Sequence, residues 1–211
     1  MTESGAPPDT TGGGRPADSI RAHFASLATA LDDNAHVAPR VRRWGEQLAD
    51  IYARDGRLLA CGHGGSAAEA QHLTGELVGR FRDERRPLSA IALHADTSAG
   101  TAIVNDYGAE QLYARQVVAH GRPGDVLMLF STSGTSPAVV AAAKAAADVG
   151  VLTWAVTGPA PNPLSSLCDD AIAVDPPRLA TVQGMHLVLI HSRCDPLATV
   201  VGVTPVKLLR C

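Results

Sequence analysis

From Asp18 onward, apolar residues recur at helical spacing, with Ile20, Phe24, Leu27 and Leu31 on one stripe. The spacing predicts a helix through about residue 32, capped by Asp18 or Ser19. A second helical stretch is expected from about Ala35 to Arg54, stopped by Asp55-Gly56. Beyond residue 56 the texture changes. Short apolar runs at Leu58–Cys61, Ser89–Leu93, Val126–Phe130, Val151–Val156 and Ala171–Val174 read as strands. Between them lie alanine-rich stretches of helical spacing, at about 66–81, 109–119, 137–149 and 183–195. Strands alternating with helices imply βαβ units and a sheet covered on both faces. The expected fold class is α/β: a mostly parallel five-stranded sheet flanked by helices, preceded by an N-terminal helical hairpin. One domain spans 18–211, with the hairpin at 18–55 and the α/β core at 56–200. No internal repeat is present.

Residues 1–17 (MTESGAPPDTTGGGRPA) contain no apolar stretch and are rich in Pro, Gly and Thr. Such a segment buries too little to offset its ordering entropy, so a disordered tail is expected, not a secretion signal. The 211 residues are 45% hydrophobic, enough for one sizeable core, and two domains would be a squeeze. A net charge of −3 argues against a nucleic-acid partner, which would call for a basic patch. No apolar run approaches the roughly 18–20 residues of a membrane span, and Lys144 interrupts the Ala/Val stretch around it. Cys61, Cys168, Cys194 and Cys211 lie far apart with no CxxC pair, and are expected to be free thiols of a cytoplasmic protein.

Two strand exits carry unusual loops. Cys61-Gly62-His63-Gly64-Gly65-Ser66 and Ser131-Thr132-Ser133-Gly134-Thr135-Ser136-Pro137 each run directly into a predicted helix. Ligands of open parallel sheets bind outside the carboxyl ends of strands. Glycines let backbone N–H groups approach a ligand, and hydroxyls beside a helix N-terminus suit an anion, most naturally a phosphate. The first loop has Ala67 where a dinucleotide-binding turn has its third glycine, and it lacks the Gly-Lys-Ser/Thr of a P-loop, which disfavours a nucleotide.

His72 and Glu76 share one face of the helix after the first loop. The last helix carries Gln183, His186 and His191. About 12 Å of helix rise separates Gln183 from His191, so both can reach toward one ion lying between them. Two imidazoles, a carboxylate and an amide oxygen suit Zn²⁺ or a similar divalent ion. His186 could equally face the core or a neighbouring subunit.

Taken in order, Cys61-Gly-His-Gly-Gly-Ser, Gln71-His72-x-x-x-Glu76-Leu, Asn105-Asp106-Tyr107, Gly124-Asp125-Val126, Ser131-Thr-Ser-Gly-x-Ser136 and Gln183-x-x-His186-x-x-x-x-His191 resemble the sugar isomerase (SIS) domain over roughly residues 20–195. Within that domain the resemblance is to the phosphoheptose isomerases, which interconvert sedoheptulose 7-phosphate and D-glycero-D-manno-heptose 7-phosphate at the start of activated heptose biosynthesis. It implies that Glu76 is both metal ligand and proton-transferring base, and that His191 is partner acid and metal ligand. His72 and Gln183 would complete the shell of one Zn²⁺ per subunit. The substrate contacts it implies are His63, Gly64, Gly65, Ser66, Glu76, Asn105, Asp106, Ser131, Thr132, Ser133, Ser136 and Gln183. It also implies a homotetramer with the N-terminal helices packed between chains.

Three positions depart from the family pattern. His63 stands where the family usually has Asn, and imidazole offers a different donor–acceptor layout. Arg178-Leu-Ala-Thr-Val stands where an acidic residue followed by Arg and Ile is usual. Pro196 is expected to end or kink the last helix early. Related non-catalytic SIS proteins that bind the bacterial replication initiator typically lack a carboxylate at the Glu76 position and carry Asn at that of His191. This chain keeps both groups, which favours the isomerase over that scaffold. The same set favours a heptose phosphate over another sugar phosphate; a subunit that binds without turnover is the remaining alternative.

Overall fold

A computed structural model describes residues 16–80, 84–176 and 178–201. Of the expected tail, residues 1–15 lie outside the described residues, as does Cys211. The chain runs α1 (Pro16–Asp33), a short 3₁₀ turn (Ala35–Val37), α2 (Ala38–Ala53), β1 (Leu58–Cys61), α3 (Gly65–Val78), β2 (Ala90–Ala92), α4 (Thr97–Tyr107) and α5 (Gln111–His120). Then follow β3 (Val126–Ser131), α6 (Pro137–Asp148), β4 (Leu152–Thr157), α7 (Pro163–Leu167), β5 (Asp170–Ala173) and α8 (Leu179–Val201).

All five strands are parallel, in the order β2-β1-β3-β4-β5. Each strand alternates its side chains between two cores, the period-two rule of an extended chain. Leu58, Ala60, Val126, Met128, Phe130, Trp154 and Val156 face the layer that holds α1, α2, α3 and α8. Leu59, Cys61, Leu127, Leu129 and Ala155 face α5, α6 and α7. Both faces are therefore covered, and β1 and β3 are buried at every position. The Trp44 and Trp154 rings stack with centroids 5.0 Å apart, and the Trp44 indole donates to Asp170 at 2.8 Å, which seats α2 on the sheet.

The sequence expectations need four corrections. First, α1 begins at Pro16, so neither Asp18 nor Ser19 caps it; a proline suits a helix's first turn, and Asp18 lies in that turn beside the positive end of the dipole. Second, the stretch from Ala35 is not one helix. Pro39 has no N–H to give, and α2 starts one residue before it, after the 3₁₀ turn. The stop after α2 falls at Asp55-Gly56 as expected, with Asp55 at φ +60° and the Gly56 N–H bonded to the Ile51 carbonyl at 2.9 Å. Third, α8 starts at Leu179 and continues past Pro196 to Val201. Its buried stripe through Val182, Met185, Leu189 and Ile190 reaches back before the expected start, and Pro196 does not end the helix. Fourth, α4 and α7 lie outside the helical stretches that the spacing predicts. No residue of α4 is buried, so the apolar periodicity that reveals a helix is weak there; α4 starts instead from an Asp96 cap that accepts from the Ala99 N–H at 2.9 Å. The short α7 is set by an Asn162–Ser165 capping box.

Candidate active site

The strand order reverses direction between β1 and β3, and the two loops singled out in the sequence leave the carboxyl ends of those strands. That crevice is where an open parallel sheet receives its ligand. In the first loop Gly64 has φ +56° and precedes α3, a conformation L side chains rarely adopt. A Cβ on Gly65 would overlap the Gln183 amide, which places Gln183 against this loop. Ser66 is buried and its N–H is bonded back to the His63 carbonyl at 3.0 Å.

His63 is exposed at its tip and held at its base. The Tyr113 hydroxyl donates to the Gly62 carbonyl at 2.5 Å and lies 3.3 Å from His63 Nδ1. A carbonyl only accepts, so the phenolic proton points to Gly62 and the hydroxyl oxygen accepts from His63 Nδ1–H. In its neutral form the imidazole therefore presents Nε2 to the crevice as an acceptor. Partial burial lowers its pKa from the ordinary value, which favours that neutral form, while burial pushes the Tyr113 phenol up and keeps its proton in place.

The second loop is braced from within. The Gly134 N–H reaches both the Ser131 carbonyl and the Ser131 hydroxyl at 3.1 Å, and the Ser133 hydroxyl accepts from Thr135. Gly134 has φ +65° and packs on Asn162 where a Cβ would overlap the amide. Ser136 stands at the N-cap of α6 without a side-chain cap hydrogen bond, and Pro137 opens the helix, whose first-turn N–H groups have no partner within the helix. Thr132 anchors the loop to β4 through its carbonyl, which accepts from Gly158 at 3.1 Å.

Two turns along α3, His72, Glu76 and His191 come together, their ligand atoms all within 4.8 Å of one another. His72 Nε2 stands 2.9 Å from His191 Nε2 and 3.5 Å from the Glu76 carboxylate. Two neutral imidazole nitrogens that close share one proton or one cation. Two imidazoles and one carboxylate are a donor set of zinc sites that keep a position open for substrate, so these residues fit a divalent ion. His186 does not join them. It faces the core, with none of its surface exposed.

Asn105 and Asp106 lie on the exposed face of α4, the Asn105 amide donating to the Asp106 carboxylate at 2.7 Å. Sequence reading missed four side chains that shape the site. Tyr113 and Asn162 hold the two loops. Arg85 is buried and donates to the Glu76 carbonyl at 2.6 Å and the Leu77 carbonyl at 2.9 Å, closing the end of α3 that carries Glu76. Glu69 is buried on the same helix. A cation a few residues past a helix end was the one available signal for Arg85; the others answer to partners distant in sequence.

Fold, switch-point loops and the His/Glu cluster together define a SIS-domain protein, and the SIS domain family matches residues 23–158. A phosphoheptose isomerase of Streptomyces coelicolor is 60% identical over 172 residues, which is 82% of this chain and 74% of that relative. The solved phosphoheptose isomerase of Neisseria gonorrhoeae superposes with a TM-score of 0.81 at 38% identity, over 87% of this chain and 98% of that one. The one from Francisella tularensis gives 0.83 at 32% identity over the same shares. The chain belongs to the phosphoheptose isomerase family.

Proposed function

We propose that this protein is an aldose–ketose isomerase that interconverts D-sedoheptulose 7-phosphate and D-glycero-D-manno-heptose 7-phosphate, opening the synthesis of activated heptose. One observation carries the reading: a carboxylate and two imidazoles are gathered at His72, Glu76 and His191, with an anion-binding loop at the start of the same helix. The helix rise from Gly65 to His72 is about 10 Å. An extended seven-carbon sugar held by its terminal phosphate spans a comparable length.

Aldose–ketose exchange moves one proton between adjacent carbons and another between their oxygens. Glu76 takes the proton from the carbon beside the carbonyl and returns it to its neighbour. His191 gives and recovers the proton on oxygen. The phosphate rests in the loops at 63–66 and 131–136, held by the Thr132, Ser133 and Ser136 hydroxyls and by backbone N–H groups; this fixes the reacting carbons against Glu76. His72, Glu76, Gln183 and His191 would hold one divalent ion, zinc by the character of the donors, which when bound supplies positive charge to the oxygens of the reacting carbons. Asn105 and Asp106 contact the sugar hydroxyls.

The enzyme works as a homotetramer in the cytoplasm. Ile20 and Phe24 on α1 are 54% and 66% exposed in the single chain, apolar surface that assembly would cover. Cys61 and Cys168 are free thiols, as a reducing compartment keeps them. Among the described residues no helix is long and apolar enough to cross a membrane.

The test is incubation with sedoheptulose 7-phosphate, with and without a chelator, following the products by NMR. Aldose formation that stops on metal removal and returns with zinc is expected. Turnover that survives complete metal removal would discard the ion, and no turnover by the assembled protein would discard the substrate assignment.

A further inference from the structure

Helices α3 and α8 run side by side in the same direction, and they meet at three successive levels. Gln183 packs on Gly65, His186 meets Glu69, and His191 meets His72. The outer two levels belong to the site described above. The middle one is a polar pair sealed in the protein. His186 has none of its surface exposed and Glu69 only 7%.

The pair is satisfied at every nitrogen. His186 Nε2 lies 3.3 Å from the Thr157 carbonyl, which can only accept, so that nitrogen carries a proton. His186 Nδ1 lies 3.2 Å from Glu69 Oε2, and one proton stands between them, whichever atom holds it. Thr157 ends β4, and its hydroxyl accepts from the Asn162 amide at 3.0 Å, the same Asn162 that backs Gly134 of the second loop. Glu69 and His186 thus fasten α3 and α8 to each other and to the strand end that supports the anion loop. Glu69 precedes His72 by one turn, and His186 precedes His191 by five residues.

Burying a carboxylate and an imidazole is costly, and a leucine–phenylalanine contact would hold two helices together without that penalty. What a hydrogen-bonded pair adds is direction: it sets the rotation and the height of one helix against the other, where apolar contacts slide. We propose that Glu69 and His186 are positioning residues, which set the register of α3 against α8 and so hold His72, Glu76 and His191 at the separation their chemistry requires. The inference rests on the isomerase reading for its catalytic readout, and on the cluster alone for its metal readout.

The test compares Glu69→Ala and Glu69→Gln with the unaltered full-length protein, in three measurements. These are kcat and KM with sedoheptulose 7-phosphate, zinc affinity by competition with a chromophoric chelator, and inorganic phosphate affinity by calorimetry. Outer partners of metal sites typically cost 10–100-fold in affinity or activity when removed. Glu69→Ala should lower kcat and zinc affinity by about that factor, leaving KM and phosphate affinity within about twofold. Glu69→Gln, which retains a hydrogen bond to Nδ1, should recover most of both losses. A Glu69→Ala protein that folds with unchanged kcat and zinc affinity overturns the inference, as does a rise in KM with kcat intact, or a Gln variant as impaired as Ala. If Glu69→Ala does not fold, Glu69→Gln and His186→Gln decide: wild-type zinc affinity and kcat in both overturn the proposal. Should the unaltered protein show no turnover, the isomerase reading falls and zinc affinity alone judges the pair; if it also binds no zinc, the pair has no cluster to position and the inference falls too.

Discussion

In the proposed mechanism Glu76 and His191 carry different parts of the reaction, and their substitutions should separate those parts. Glu76→Gln removes the base while leaving the loops intact; a loss of about 10²–10⁴-fold in kcat is expected, with inorganic phosphate affinity unchanged by calorimetry. His191→Asn is expected to abolish turnover and leave assembly untouched, read by light scattering. His63 offers a pH signature of its own. Its folded pKa lies below the ordinary 6.5, so the stability it lends is present above that value and lost as pH falls through the folded one. Over the same fall Nε2 turns from acceptor to donor. Beside a phosphate a cationic donor binds better than a neutral acceptor, so KM for the sugar phosphate should fall on acidification below 6.5, and the fall should vanish in His63→Asn, measured as KM against pH for both proteins.

At the scale of elements, the second loop depends on one glycine. Gly134→Ala puts a Cβ at φ +65° and into the Asn162 amide, and backbone strain of that kind costs about 1–3 kcal/mol. A lower melting temperature and weaker inorganic phosphate binding are expected together. The docking of α2 rests on the stacked tryptophans, and Trp44→Ala should destabilise by about 3–5 kcal/mol in denaturant unfolding. Elements with strong apolar periodicity were legible in the sequence to within a few residues. Apart from α8, which starts at Leu179, the elements missed or misplaced are those whose start depends on caps or prolines: α4 on Asp96, α7 on Asn162, α1 on Pro16 and α2 on Pro39. Periodicity carries no trace of a cap, because a cap satisfies backbone groups and buries little.

For the whole molecule, α1 leaves Phe24 and Ile20 exposed, and α4 buries none of its residues within the chain. If the proposed homotetramer packs through α1, Phe24→Asp is expected to shift it toward smaller species in light scattering while the monomer keeps its far-ultraviolet circular dichroism. Removal of residues 1–15 should leave both assembly and turnover unchanged.

The sequence by itself determined the α/β class, the parallel sheet and the two loops at its switch point, since strand and helix periods and glycine punctuation are local properties of the chain. It also determined which residue types were available for acid–base chemistry and metal binding. Only the tertiary structure decided which of the three candidates on the last helix meets which partner. His191 joins His72 and Glu76, Gln183 turns to Gly65, and His186 goes into the core with Glu69. Helical spacing places all three candidates on one element but does not say how that element is rotated against α3. That rotation comes from packing between helices more than 100 residues apart in sequence. The proton on His63 Nδ1 likewise depends on Tyr113, which no local pattern brings to the loop.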